Sequence, residues 1–94
     1  MHELGLAEGI LAVVLDVAER ERVERVRVSV GALQLVTADS LRFHFEVAAQ
    51  DTLAAKAVLD VEVVPGAGAS VDAVKLPSGW RRRPVARPAV AGET

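Results

Sequence analysis

The stretch RVRVSVG, residues 25–31, alternates strictly between side chains of opposite character. Its three valines fall on one face of an extended chain, and two arginines and a serine fall on the other. Such alternation is typical of a β-strand with one buried face and one face in water. The stretch therefore predicts a sheet that helices cover on one side only, with Gly31 ending the strand.

A second alternating stretch, AVLDVEVVPG, occupies residues 57–66. Its pattern predicts a strand that buries Leu59, Val61 and Val63 and that ends at the Pro-Gly pair. A third stretch, residues 70–76, alternates weakly and is predicted to return antiparallel to the others.

Residues 36–50 lie between the two clear strands and are predicted to form a helix. Thr37 is placed as its N-cap, and Asp39 brings a negative charge to the first turn, where the helix dipole favours it. The predicted apolar stripe consists of Leu41, Phe45, Ala48 and Ala49. The strand–helix–strand unit is expected to be a right-handed crossover between parallel strands.

Residues 3–20 are predicted to form the first helix, although Gly5 and Gly9 weaken its first two turns. Its apolar stripe consists of Ala7, Ile10, Leu11, Val14, Leu15 and Ala18. The elements predict an α+β fold with two helices on one face of a small mixed sheet of about three strands. We expect one domain over residues 1–80 and a flexible tail rich in arginine and proline over residues 81–94.

Composition excludes several kinds of site. The chain has no cysteine, so it has no disulfide, no catalytic thiolate and no cysteine-based metal site. It has no Gly-x-Ser-x-Gly elbow, no glycine-rich phosphate loop and no His-x-x-x-His pair, and we predict that it is not an enzyme. Neither a secretory signal nor a membrane span is apparent, and we expect a cytoplasmic protein. Residues 1–80 hold 7 basic and 12 acidic side chains, which argues against nucleic acid as a partner.

The chain starts Met1, His2, Glu3. A terminal amine, two main-chain nitrogens and an imidazole within a few bonds of one another form adjacent chelate rings, which suit Ni(II) or Cu(II) better than Zn(II) or Mg(II). The alternative is a solvent-exposed histidine at the end of a helix. These residues alone do not decide between the two.

Four strings in order resemble the hydrogenase nickel-incorporation family (HypA/HybF). They are MHELGLAEGI at the start, RVRVSVGALQLV, LRFHFEV, and DTLAAKAVLDVEVVP, and together they reach residue 65. The family starts Met-His-Glu-Leu and carries a strand before Gly-x-Leu, a Leu-Arg-Phe-x-Phe helix and a Thr-Leu-Ala segment.

The resemblance implies a nickel metallochaperone that binds Ni(II) through Met1, His2 and Glu3. It also implies two partners, a GTPase of the maturation pathway and the precursor of a [NiFe]-hydrogenase, with urease as a client in some organisms. We also consider a homodimer.

The sequence departs from the family pattern in three places. The family's zinc lobe, with two Cys-x-x-Cys pairs, is replaced by PGAGASVDAVKL, so we expect no zinc. Ala32 stands where the family usually has Glu, and His44 where a small residue is common. His44 is either an additional nickel donor or a partly exposed histidine on a helix face. The alternative function is an interaction module that keeps the fold but carries no metal, with Trp80 and the Arg81–Arg83 run as its contact.

Overall fold

The computed structural model describes residues 2–82, with His2 described by its backbone alone. The two helices are α1 (His2–Ala18) and α2 (Ala38–Ala49), and a short 3-10 turn covers Ala32–Gln34. The strands are β1 (Arg25–Gly31), β2 (Val58–Val64), β3 (Ala69–Leu76) and β4 (Gly79–Arg81). The predicted α+β class is confirmed.

The sheet has four strands in the order β2-β1-β3-β4. β2 is parallel to β1, β3 is antiparallel to β1, and β4 is antiparallel to β3. β1 thus lies between the other two long strands, β2 and β3. The prediction of about three strands lacked β4, because a strand of three residues is too short to show an alternating pattern.

The core lies between the sheet and the two helices. From β1 it receives the three predicted valines, Val26, Val28 and Val30, each almost fully buried. The predicted stripes of both helices also face this core, with Leu15 and Ala48 packed at its margin. Neither helix described for residues 2–82 has both the length and the apolar character that a membrane crossing requires.

The start of α2 matches the predicted cap. The Thr37 hydroxyl accepts a hydrogen bond from the Ser40 backbone N–H at 3.0 Å, and Asp39 lies in the first turn. This bond satisfies one of the N–H groups that a helix leaves without an internal acceptor.

The predicted burial of β2 is wrong at one position. Leu59 is buried and Val61 is half-buried, but Val63 is 54% exposed. β2 is an edge strand, and its C-terminal end is not covered as its middle is. Alternation correctly placed Val63 on the same face of β2 as Leu59 and Val61. It does not determine how far along the strand the helix layer covers that face.

The loops after β1 and β2 cross closely at one end of the sheet. The Gly31 N–H donates to the Gly68 carbonyl at 2.8 Å, and the Leu33 N–H donates to the Gly66 carbonyl at 2.9 Å. A Cβ atom at Gly31 would collide with the Gly66 carbonyl. Position 31 therefore needs glycine because another backbone approaches it, and not only to end a strand.

The expected tail begins with a residue of the sheet, since Arg81 belongs to β4. It is bound to the end of α1: its guanidinium donates to the Val17 carbonyl at 3.1 Å and to the Glu21 carboxylate at 2.8 Å. The rest of the expected tail, from residue 83, lies outside the described residues.

Candidate functional site

Of the predicted nickel ligands, His2 and Glu3 belong to the first turn of α1. Met1 lies outside the described residues, and the Glu3 side chain is half-buried. The first N–H groups of an α-helix are not used by the helix's own hydrogen bonds. A main-chain nitrogen of this turn would have to lose its proton to bind a metal ion, and the helix's own hydrogen bonds do not compete for that proton.

The direction of α1 fixes where its first turn lies. Gly5 and Gly9 line a groove against Ala69–Val71, the start of β3, and that segment pairs with the second half of β1. At the opposite end of α1, Val17 is bound by Arg81. α1 is therefore antiparallel to β1, and its N-terminus lies at the end of the sheet where the parallel strands β1 and β2 finish.

The groove beside the first turns of α1 is small and open, with a volume of about 240 Å³. It exists because two glycines face it: a Cβ atom at Gly5 or at Gly9 would meet no atom within 4 Å. The glycines that weaken the helix thus also leave one side of its first turns open, while Ala7 and Ile10 are buried in the core.

His44 lies on α2 and is half-buried. Its Nδ1 is 2.8 Å from the Ser40 carbonyl oxygen, and because a carbonyl only accepts, Nδ1–H is the donor. In the neutral ring this leaves the Nε2 lone pair for another partner, the tautomer found in many metal-binding histidines. The ring also makes an edge contact with Phe43, at 5.3 Å between centroids.

No three side chains of His, Asp or Glu within residues 3–82 are grouped so that they could hold a metal ion. His44 therefore has a suitable tautomer but no cluster of described ligands around it. Its role as an additional nickel donor stays a prediction.

Two leucines in the loop that follows β1 are strongly exposed. Leu33 is 70% exposed and Leu35 is 87% exposed, and Leu35 has a left-handed backbone with φ at 59°. This conformation is unfavourable for a leucine. The loop lies at the same end of the sheet as the first turn of α1, and sequence analysis missed it because the apolar letters ALQLV suggest burial.

Trp80 and Arg81, predicted as part of the contact surface of an interaction module, have partners inside the fold. Trp80 is 43% exposed on β4, and the guanidinium carbon of Arg27 lies 4.4 Å from its ring centroid. Arg81 binds the end of α1, as described above. These contacts give Trp80 and Arg81 structural roles, and Arg83 lies outside the described residues.

Comparison with known proteins bears on the first turn of α1. Residues 1–72 match the family described as hydrogenase/urease nickel incorporation, metallochaperone, HypA. The chain belongs to this family. The resemblance inferred from the four strings is thereby confirmed, and the match includes the Met-His-Glu start.

Three relatives illustrate the likeness, each named hydrogenase maturation factor HypA. The protein of Azoarcus sp. (strain BH72) is 45% identical over 71 residues, which cover 72% of this chain and 62% of the relative. That of Dechloromonas aromatica (strain RCB) is 41% identical over 71 residues, covering 72% and 63%. That of Acidithiobacillus ferrooxidans (strain ATCC 53993 / BNL-5-31) is 43% identical over 68 residues, covering 69% and 60%.

The chain thus spans less than two thirds of the length of these relatives. Its residues 73–94, which follow the family match, contain no cysteine.

Proposed function

We propose that this protein binds Ni(II) at its amino terminus and delivers it during maturation of a [NiFe]-hydrogenase or a urease. The observation that carries the proposal is the position of His2 and Glu3 at the start of α1, within a family match that begins at residue 1. On this proposal the protein is a carrier and not an enzyme.

The proposed donors are the His2 imidazole, the Met1 amine and main-chain nitrogens of the first turn, with the Glu3 carboxylate as a further ligand. A nitrogen-rich set with adjacent chelate rings favours Ni(II) over the harder divalent cations. The positive end of the helix dipole opposes cation binding there by about 0.3–1 kcal/mol. A carrier gains from this opposition, since it must release its metal.

The proposed partners are a GTPase of the maturation pathway and the apoenzyme that receives the nickel, and the proposed compartment is the cytoplasm. With no cysteine in the chain, the proposed site works without bound zinc. The family's description and the relatives' name as hydrogenase maturation factors support the apoenzyme as a partner, whereas the GTPase is implied by the family resemblance alone.

The test is a Ni(II) titration of untagged protein with a free Met1 amine, followed by visible absorbance and by calorimetry. We expect a d–d band of planar nickel at one equivalent, and we expect His2→Ala to remove it. His44→Ala is the matched control because it removes the other of the two histidines. Thermal unfolding of both variants checks that the fold is unchanged.

Each outcome has a defined meaning. Loss of the band in His2→Ala alone supports the terminal site, and loss in both variants makes His44 an additional donor. Equal nickel binding by the wild type and His2→Ala would contradict the proposal. The alternative, an interaction module of the same fold that carries no metal, would then remain.

A further inference from the structure

We propose that the outer edge of β2 binds an extended segment of a partner protein in which apolar and basic residues alternate. The segment would add a fifth strand to the sheet beside β2. This edge lies two strands across the sheet from β3, whose start lines the groove beside α1, and the proposal does not depend on nickel binding.

The two edges of the sheet differ in length. β4 forms one edge and has only three residues, whereas β2 forms the other with seven. Natural proteins protect edge strands by making them short, by bulges, by proline, or by charged side chains, most often lysine. β2 pairs with β1 in an unbroken register, and residues 58–64 contain neither proline nor lysine.

The pairing with β1 shows which backbone groups of β2 face outward. The Val58 N–H donates to the Glu24 carbonyl, so residues 58, 60, 62 and 64 bond toward β1. The N–H and C=O groups of Leu59, Val61 and Val63 therefore point away from β1, toward the outer side of the edge. Within residues 2–82 no strand pairs with this side of β2.

One outward carbonyl is already occupied. The Arg42 Nε–H donates to the Leu59 carbonyl at 3.0 Å, while another nitrogen of the same guanidinium binds Asp39 at 2.7 Å. Arg42 therefore closes the first part of the edge. The outward N–H and C=O groups of Val61 and Val63 remain for an incoming strand.

Side chains next to these groups suit an apolar segment. Val63 is 54% exposed and Val58 is 46% exposed, although both belong to a strand. A groove of about 360 Å³ between α2 and the start of β2 lies at the end that Arg42 closes, and charged side chains line it together with apolar ones. Beside the open main-chain groups, Val63 therefore supplies the apolar contact for an incoming strand.

The charged side chains of β2 indicate which kind of segment could pair with its outer edge. The outer face of β2 carries Asp60 and Glu62; Asp60 is paired with Arg25 at 2.7 Å, and Glu62 is exposed. In a symmetric antiparallel pairing of two β2 strands centred on Asp60, Val61 or Glu62, a carboxylate always lies opposite a carboxylate. Like charges at directly opposed positions destabilise strand pairs. These three registers therefore disfavour a second copy of this chain, and the exposed Glu62 favours a segment with lysine or arginine opposite it.

The test uses the full chain and two synthetic seven-residue peptides, one alternating valine with lysine and one alternating valine with glutamate. Binding is followed by ¹H–¹⁵N correlation spectra, and we expect the lysine peptide to shift the amides of Val61 and Val63. Val63→Pro removes an outward N–H without touching the bonds to β1, and proline is tolerated at a sheet edge. We expect it to weaken binding roughly three- to tenfold at unchanged Tm.

Glu62→Lys is the second variant, and we expect it to reverse the preference in favour of the glutamate peptide. Val47→Ala, at an exposed position of α2, is the control and should bind like the wild type. Three results would overturn the proposal: no binding of either peptide, equal binding by Val63→Pro, or dimerisation of the wild type that Val63→Pro abolishes.

Discussion

The two ends of α1 are built in different ways. At the C-terminal end Val14 and Ala18 are fully buried, and the Val17 carbonyl is bound by Arg81 of β4. At the N-terminal end Gly5 and Gly9 are exposed beside an open groove.

The C-terminal end of α1 thus attaches the helix to the sheet, and the N-terminal end is the one that faces solvent beside the groove. Glu21, just after α1, accepts hydrogen bonds from the Ser78 hydroxyl and from Arg81, each at 2.8 Å, so the last turn is tied to the β3–β4 hairpin. No side-chain hydrogen bond is described for residues 4–10, where Ala7 and Ile10 are nevertheless buried in the core. Apolar packing therefore holds this part of α1 and leaves its glycine side open to a partner.

The largest expected change in unfolding free energy comes from placing a leucine at one end of α1 and comparing it with a leucine at the other end. Ala18→Leu inserts three carbons into a fully buried position, and we expect a loss of about 1–3 kcal/mol of unfolding free energy from overpacking. Gly5→Leu is the matched change, and it should cost less unfolding free energy, because the position is exposed and its Cβ atom would meet nothing within 4 Å. Urea unfolding of both variants measures the difference, and equal losses would show that the two ends are packed alike.

A smaller effect is expected from the bonds that hold the C-terminal end. Glu21→Ala removes the acceptor of Ser78 and Arg81, and we expect a loss of about 1 kcal/mol because these groups are partly exposed. Glu19→Ala is the control: its carboxylate is 3.8 Å from Arg81 and its side chain is 76% exposed. That variant should stay within about 0.5 kcal/mol of the wild type. Thermal melts at low and high salt check both values, and a larger loss in Glu19→Ala would contradict the assignment of the anchor to Glu21.

The smallest expected effect is a gain at the N-terminal end. Gly9→Ala should stabilise the protein by about 0.5–1 kcal/mol, because alanine loses less backbone entropy in a helix and the site has room for its methyl group. The Tm measures this gain, and a nickel titration of the same variant shows whether a stiffer helix alters metal uptake. A fall in Tm would mean that the groove beside Gly9 requires glycine for a reason that the geometry does not show.

Part of this architecture could be predicted because local periodicity reports it directly. The valines of β1 and the stripes of both helices were placed correctly, and so was the Thr37 cap, since each depends on neighbours within a few residues. Val63 was placed on the correct face and yet is exposed, because its burial depends on how far a distant helix extends. β4 was not predicted, since its three residues are stabilised by pairing with β3 and not by a pattern of their own.

The candidate site divides in the same way. The Met-His-Glu start and the family to which the chain belongs could be inferred from the order of short strings. The left-handed Leu35 could not, because an apolar residue type gives no sign that this position ends the 3-10 turn, where its N–H donates to the Ala32 carbonyl. The tautomer of His44 depends on the carbonyl of Ser40, which the helix places one turn earlier.

The sequence by itself determined both helices, the three long strands, their apolar faces and the identity of the terminal residues, because periodicity and residue type act over short distances. Only the tertiary structure decided which end of α1 is anchored, which sheet edge stays open and where Arg81 binds. These properties arise from contacts between residues as far apart as Val17 and Arg81, and no local pattern in the chain records such a pairing.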